Sequence, residues 1–225
     1  MAVKRLRIIA GPNGSGKTTL YFFLKEKFST GLWLNADELL EHVSKKGFIE
    51  YATLGFFPTE KNFRKFCRKN TSQKFIAEFR LKDEIAKISF GQFSLSFANK
   101  NISNETAAFI SDYFRYCLIQ SGNSFTTETV LSHPSKLELV KSASKKQYKT
   151  YLYFIATGSP LINIGRIKGR VYKGGHPVDG EKVTQRYKRS IALLKKSLKI
   201  FDRVFIFDNS ASNIELITSY ANAKI

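Results

Sequence analysis

The sequence predicts a doubly wound α/β fold, in which helices cover both faces of a mainly parallel, five-stranded sheet. Five short runs are typical of strands, at residues 5–10, 32–36, 124–129, 150–156 and 203–207, and all but the Thr-rich run 124–129 are largely apolar. Stretches with helical spacing of apolar residues follow these runs, and a last helix is expected after residue 208. Because strands that alternate with helices form a parallel sheet between two helical layers, the expected architecture is three-layer α/β/α.

The length and composition favour one domain with a packed core. The chain has 225 residues, of which 43% are hydrophobic. Residues 45–104 are rich in Phe and Lys and are longer than a crossover helix requires. We expect them to form a mainly helical elaboration, inserted within a single domain of residues 1–225 and serving as a lid or an acceptor-binding region. The alternative is a set of ordinary packing helices.

The two cysteines and the absence of long apolar runs bear on location. Cys67 and Cys117 are far apart and fit neither a metal-ligand spacing nor a disulfide framework, which indicates a reducing compartment. The N-terminal residues pass directly into the first strand, and no apolar run approaches transmembrane length. We therefore expect a cytoplasmic protein without a membrane partner.

The formal net charge of +19 is concentrated in one part of the chain. Residues 141–199 contain fifteen Lys or Arg residues and only two acidic residues. Such a surplus indicates an anionic partner, which could be a nucleotide, a nucleic acid or an acidic protein. The alternative is that most of these side chains are solvated and have no partner.

Directly after the first strand, the sequence has the pattern G-x-x-x-x-G-K-T of a phosphate-binding loop, or P-loop. The strand before it and the helix-forming segment after it distinguish such a loop from a chance match. Its backbone N–H groups would hold the phosphates of ATP, while Lys17 reaches the β- and γ-phosphates and the Thr18 hydroxyl binds Mg²⁺. We therefore expect the fold of a P-loop NTPase, with strand order 2-3-1-4-5. The predicted nucleotide-binding residues are Gly11, Pro12, Asn13, Gly14, Ser15, Gly16, Lys17, Thr18 and Thr19.

Three carboxylates lie at or directly after the carboxyl ends of predicted strands, at the sheet edge where α/β proteins bind ligands. Asp37 is the best candidate for the base that orients an acceptor hydroxyl and takes its proton, and it could also cap the following helix. Glu128 could bind substrate hydroxyls or hold Mg²⁺ through water, or could simply end its strand. Asp208 ends the last predicted strand as a Walker-B acid does, but that strand is expected at the far side of the sheet.

Two arginines in the basic region are candidates for contact with phosphates. Arg166 and Arg170 are four residues apart, so a helix would place both on one face. With Gly174, Gly175 and His176, they could form a lid whose guanidinium groups stabilise charge on the transferred phosphate. From the spacing alone, a solvated basic helix is the simpler interpretation.

Four blocks in order along the chain resemble the zeta-toxin-like kinases. They are the phosphate-binding loop, residues 34–38 (LNADE), residues 125–132 (FTTETVLS) and a basic segment from Arg166 to Ser190. The resemblance implies a kinase that phosphorylates a sugar hydroxyl of UDP-N-acetylglucosamine and is inhibited by a small helical antitoxin. The roles it implies are Asp37 as the base, Lys17, Arg166 and Arg170 on the ATP phosphates, and Glu128, Thr129 and Ser132 on the substrate side.

The chain departs from this family in two places. The Gly-Gly-His block continues with Pro177 and Val178 in an unusual order, and the Phe-rich segment 45–104 is unusual. Both departures concern the acceptor rather than the kinase chemistry. A kinase of nucleic-acid 5′-hydroxyl ends and a nucleotide-gated binding protein with little turnover are the alternative functions.

Overall fold

The computed structural model describes residues 3–134, 136–172, 174 and 178–222. The backbone contacts divide the chain into two compact units, which we describe separately. The first unit comprises Met1–Gly31 and Ser124–Ile225, and the second comprises Leu32–Asn123.

Strands and helices are interspersed along the chain. In order, the elements are β1 (Arg5–Ala10), α1 (Lys17–Lys27), β2 (Leu32–Leu34), α2 (Ala36–Lys46), β3 (Phe48–Glu50), a 3₁₀ turn (Tyr51–Thr53), α3 (Glu60–Cys67), α4 (Asn70–Glu78), α5 (Lys82–Ala86), β4 (Ile88–Phe90), β5 (Ser94–Phe97), α6 (Asn104–Ser121), β6 (Phe125–Thr129), α7 (Lys136–Lys145), β7 (Lys149–Ala156), α8 (Pro160–Tyr172), α9 (Gly180–Ser197), β8 (Arg203–Asp208) and β9 (Glu215–Ala221).

The main sheet has six strands in the order β2-β6-β1-β7-β8-β9. β1 is parallel to both β6 and β7, and β7 is parallel to β8. The prediction of a three-layer α/β/α fold with a mostly parallel sheet is confirmed. The predicted five strands in the order 2-3-1-4-5 need correction, because the observed order has a sixth strand, β9, which is antiparallel to β8.

The helix predicted after residue 208 is wrong for the same reason. β9 contains Ile217, Thr218 and Tyr220, and β-branched and aromatic residues of this kind favour strands. β9 pairs with β8 over the whole length of β8, with an irregularity in register between Ile206 and Phe207 of β8. Pairing with the preceding strand, rather than helical spacing of apolar residues, determines the conformation of the segment.

The central strands of the first unit are buried on both faces, as parallel strands between two helical layers must be. Leu6, Ile8 and Ile9 of β1 are at most 1% exposed, and Phe125 of β6 and Phe154 of β7 are fully buried. This core fixes the carboxyl ends of β1 and β6. The phosphate-binding loop follows β1, and Glu128 is the second-last residue of β6.

The second unit has its own core, built largely from the aromatic residues of the Phe-rich segment. Its strands form a three-stranded antiparallel sheet in the order β3-β5-β4. The ring of Phe66 on α3 lies 5.2 Å from that of Phe109 and 5.6 Å from that of Tyr113, both on α6. The aromatic side chains of α3 therefore pack against α6. That this segment serves as a lid or an acceptor-binding elaboration stays a prediction.

None of the helices in the described part of the chain combines the length and the apolar character that crossing a bilayer requires.

The aromatic core of the second unit yields a stability prediction. Phe66 is 7% exposed, so Phe66→Ala should lower the free energy of unfolding by about 3–5 kcal/mol through lost burial and a residual cavity. Phe93 is 72% exposed, and Phe93→Ala should change it by less than about 0.5 kcal/mol. Urea unfolding followed by circular dichroism measures both changes, and equal losses would contradict the described packing.

Candidate active site

The loop between β1 and α1 has a conformation that requires glycine. Gly14 and Gly16 have φ angles of 76° and 97°, in the left-handed region that disfavours other residues. A Cβ atom on Gly16 would lie 2.3 Å from Nδ2 of Asn209, and one on Gly14 would lie 2.7 Å from the Asn163 carbonyl oxygen. Side chains at these two positions are therefore excluded by both strain and space.

Lys17, Thr18 and Glu128 converge beside this loop. The Lys17 ammonium lies 3.1 Å from the Pro12 carbonyl oxygen and 3.6 Å from Oε1 of Glu128, and its side chain is only 7% exposed. The Thr18 hydroxyl donates to Oε2 of Glu128 at 3.4 Å. Lys17 and Thr18 open helix α1, whose first N–H groups have no partner within the helix and give this end a partial positive charge.

Register explains why Glu128 meets the loop. β6 is parallel to β1 and places Glu128 opposite Ile9, one residue before β1 ends. The N–H of Gly11 then donates to the carbonyl oxygen of Thr129 at 3.3 Å. The predicted placement of a carboxylate at this edge of the sheet therefore brings it to two residues of the phosphate-binding loop.

Two residues that sequence reasoning did not assign to the site also contact the loop. Nδ2 of Asn209 donates to the Ser15 carbonyl oxygen at 2.8 Å, and Nη1 of Arg186 donates to Oδ1 of Asn13 at 3.3 Å. Asn209 follows β8 directly, so its position at a carboxyl strand end was the available signal. Arg186 lies in a helix with many cations, and nothing in its spacing distinguishes it from them.

Helix α8 carries the two predicted arginines and lies against the loop through Asn163 and Ile167, which approach Gly14. Nη2 of Arg166 donates to the Ala211 carbonyl oxygen at 3.2 Å, while its Nη1 is buried without a partner among the described residues. Arg170 is exposed. Gly175, His176 and Pro177 of the predicted lid lie outside the described residues.

The turn after β6 contains the other predicted substrate-side residues. Oγ1 of Thr129 accepts a hydrogen bond from the Leu131 N–H at 3.1 Å, and Leu131 is buried with a left-handed φ of 53°. The Ser190 hydroxyl of α9 donates to the Val130 carbonyl oxygen at 2.8 Å. These bonds fix the backbone of the turn, and Ser132, partly exposed, follows it.

Asp37 belongs to the second unit, where it is the second residue of α2 and is exposed. Its N–H donates to Oδ1 of Asn35 at 2.9 Å, so Asn35 caps the helix. The alternative in which Asp37 is the cap is therefore wrong. Its carboxylate remains in the first turn, where negative charge is favourable.

Asp208 serves a local turn. Its Oδ1 accepts hydrogen bonds from the N–H and the hydroxyl of Ser210, at 3.1 and 2.6 Å. Burial and the nearby Asp208 raise the pKa of Tyr187, whose hydroxyl donates to the Thr157 carbonyl oxygen at 2.5 Å.

The described part of the chain holds no group of three His, Cys, Asp or Glu residues suited to a metal.

The site does fit a triphosphate with Mg²⁺. The Ser15 hydroxyl is buried and, among the described residues, has no hydrogen-bond partner, which leaves a donor inside the loop. Mg²⁺ in such sites takes one or two side-chain oxygens and is otherwise bound by phosphates and water. The Thr18 hydroxyl would supply one such oxygen, and the Glu128 carboxylate beside it would accept hydrogen bonds from water bound to the ion.

Comparison with known proteins adds information on the fold. No protein-family model and no curated protein sequence matches the chain. A structure from the PezAT chromosomal toxin–antitoxin system of Streptococcus pneumoniae matches it with a TM-score of 0.53 and 13% identity, over 97% of this chain and 72% of that chain. The chain has the fold of the zeta-toxin-like P-loop kinases.

A second structure with this kinase fold is the AvrRxo1-ORF1:-ORF2 complex solved with ATP. It matches with a TM-score of 0.50 and 13% identity, over 97% of this chain. The present chain spans only 58% of that protein. At these identities the likeness concerns the kinase fold alone.

The close contacts of Gly16 predict the effect of a single methyl group. Gly16→Ala should reduce ATP affinity by at least about tenfold, because the loop must shift away from Asn209 to accommodate the Cβ atom. Gly165→Ala, in α8 with no atom within 4 Å of its Cβ position, should leave affinity unchanged. Titration with a fluorescent ATP analogue measures both variants, and full affinity in Gly16→Ala would contradict the described loop.

Proposed function

We propose that this protein is an ATP-dependent kinase that transfers the γ-phosphate to a hydroxyl group of a small acceptor. The observation that carries the proposal is the convergence of Lys17, Thr18 and Glu128 beside a glycine loop at the start of a helix. This arrangement supplies positive charge, N–H donors and a metal-binding hydroxyl to one phosphate group. Phosphoryl transfer depends mainly on such positioning and charge stabilisation.

Each loop residue has a distinct part in this proposal. The backbone of residues 11–16 would surround the β-phosphate, and Lys17 would neutralise the β- and γ-phosphates. Thr18 would hold Mg²⁺, with Glu128 accepting hydrogen bonds from its water molecules. Bound there, Mg²⁺ would neutralise charge that develops on the transferred group.

We assign the role of catalytic base to Asp37. Asn35 already caps α2, so the carboxylate of Asp37 is not needed to satisfy the helix end. An exposed carboxylate can orient an acceptor hydroxyl and take its proton late in the reaction. This assignment also rests on the resemblance of residues 34–38 to the corresponding block of the zeta-toxin-like kinases.

Arg166 and Arg170 would stabilise charge on the phosphates. Arg166 is held by Ala211 through Nη2, which leaves Nη1 as a buried donor with no partner among the described residues. A buried, unpaired guanidinium nitrogen is costly unless an anion binds to it. We infer that a phosphate oxygen is that anion, with Arg170, four residues later, providing further positive charge.

For the acceptor, we propose a nucleotide sugar of the UDP-N-acetylglucosamine type. The support is the resemblance of residues 125–132 to the substrate-side block of the zeta-toxin-like kinases. Glu128, Thr129 and Ser132 would then bind acceptor hydroxyls.

We further propose a small helical antitoxin as partner and the cytoplasm as the location. The support for an antitoxin is that a structure from a toxin–antitoxin system shares the fold of this chain.

A phosphate-transfer assay with ATP, Mg²⁺ and UDP-N-acetylglucosamine tests the proposal. We expect a product heavier by one phosphate, detected by mass spectrometry. Lys17→Ala and Asp37→Asn should each reduce turnover by about 10²–10⁴-fold, through loss of charge stabilisation and of the base, respectively. Lys25→Ala, on the exposed side of α1, and Asp83→Asn, in the first turn of α5, are matched controls and should keep full turnover.

The outcomes separate the alternatives. Full activity in Asp37→Asn would show that Asp37 is not the catalytic base. Transfer to 5′-hydroxyl oligonucleotides but not to the nucleotide sugar would identify a nucleic-acid 5′ end as the acceptor. ATP binding with no transfer to either acceptor would favour a nucleotide-gated binding protein.

The proposed role of Arg166 in stabilising phosphate charge leads to a separate prediction. Arg166→Ala should lower kcat by about 10²-fold, because a donor to the transferred phosphate is lost. Lys168→Ala, an exposed cation two residues later on α8, should keep kcat within about twofold of the wild-type value. Steady-state kinetics with varied ATP measures both variants, and an Arg166→Ala enzyme with unchanged kcat would contradict the role.

A further inference from the structure

Helix α9 has five exposed cationic side chains on one face, which we call the outer basic face. At 100° per residue they fall within an arc of about 140°, in two rows whose members are seven residues apart. The helix rises about 10.5 Å between successive members of a row. The face consists of Lys182, Lys188, Arg189, Lys195 and Lys196.

The opposite face of α9 is fixed to the kinase core. Val183 and Leu193 are buried, and Ser190 is bonded to the turn after β6. Arg186 contacts Asn13 of the phosphate-binding loop, and Tyr187 contacts the Thr157 carbonyl oxygen. The outer basic face is therefore held on a rigid helix, and it is distinct from the residues that contact the loop.

Among the described residues, the cations of this face have no ion-pair partner, whereas several other helical cations do. Lys45, Arg64 and Lys141 each form an ion pair with an acidic residue three or four positions earlier on their own helix. The five side chains of the outer basic face have no hydrogen bond or ion pair with any described residue. Glu181 in the first turn is the one acidic residue of α9, and beyond it the face has no negative charge.

The composition of the face indicates the class of partner. Besides Glu181, the exposed residues within this arc are Gln185 and Ala192, so the arc has no aromatic or large apolar side chain. The one exposed large apolar side chain of α9 is Ile191, which is 39% exposed and borders the arc beside Lys195. Protein–protein interfaces derive much of their affinity from aromatic and apolar anchors at their centre. Binding to a nucleic-acid backbone instead relies on Lys and Arg contacts with phosphates and the release of counterions.

We propose that the outer basic face of α9 binds the phosphate backbone of a nucleic acid. This binding is independent of sequence and does not use the phosphate-binding loop. It accounts for part of the charge concentration, since the first unit holds 24 Lys or Arg and eight acidic residues while the second holds 13 and ten. The inference goes beyond the proposed kinase activity and does not depend on it.

The test is fluorescence anisotropy of the full-length protein with labelled 20-nucleotide single strands and duplexes, at several salt concentrations. The triple variant Lys188→Gln/Lys195→Gln/Lys196→Gln should bind at least tenfold more weakly than the wild type. For single strands, each lost phosphate contact reduces the magnitude of the slope of log affinity against log salt by about 0.7. The loss of three contacts should therefore make this slope shallower by about 2. Comparison of the two probes shows whether single or double strands are preferred.

A second triple variant controls for net charge. Lys61→Gln/Lys74→Gln/Lys82→Gln removes the same three charges from exposed positions of the second unit, and it should keep the wild-type affinity and slope. Circular dichroism and thermal melting of all variants verify folding. Equal effects of the two triple variants would overturn the proposal, as would displacement of the oligonucleotide by polyglutamate at equal charge concentration.

Two further measurements separate this inference from the kinase proposal. Lys17→Ala should lose ATP binding but keep oligonucleotide binding. The α9 triple variant should keep ATP binding and phosphate transfer to a small acceptor. If Lys17→Ala also loses the oligonucleotide, the nucleic acid binds at the loop and the outer basic face is not its site.

Discussion

The close approach of other chain segments to the phosphate-binding loop is the constraint on which the site depends. The Asn209 side chain, after β8, touches Gly16, and the Asn163 backbone of α8 touches Gly14, both at distances that exclude a Cβ atom. The loop, α8 and the end of β8 thus hold one another in place. Because the backbone is fixed before a ligand arrives, its N–H groups need little reorganisation to meet an anion.

The charges of the site follow from this fixed backbone. A buried ammonium group is costly unless it has partners, and Lys17 finds them in the Pro12 carbonyl oxygen and in Glu128. Glu128 also accepts the Thr18 hydroxyl, so one carboxylate serves both loop side chains. A triphosphate with its metal would offer both side chains stronger partners, which connects the geometry of the folded chain with its proposed chemistry.

Local sequence patterns made the phosphate-binding loop and the central strands of the first unit predictable. The glycine and lysine spacing indicated the loop, and apolar runs indicated the central strands, because each depends on neighbours in sequence. β9 was missed although Ile217, Thr218 and Tyr220 favour a strand locally, and it pairs with the strand directly before it. The other missed features depend on distant partners, and Asn209 bonds a residue 194 positions earlier. Arg186 is one cation among many until the fold brings it to Asn13.

Equilibrium titration with a non-hydrolysable ATP analogue and Mg²⁺, by isothermal calorimetry, tests the central claim most directly. It requires no knowledge of the acceptor. The described loop predicts saturable binding of one nucleotide per chain, lost in Lys17→Ala and retained in Lys25→Ala. Absence of binding by the wild-type protein, or equal binding by Lys17→Ala, would contradict the claim that this loop is a nucleotide site.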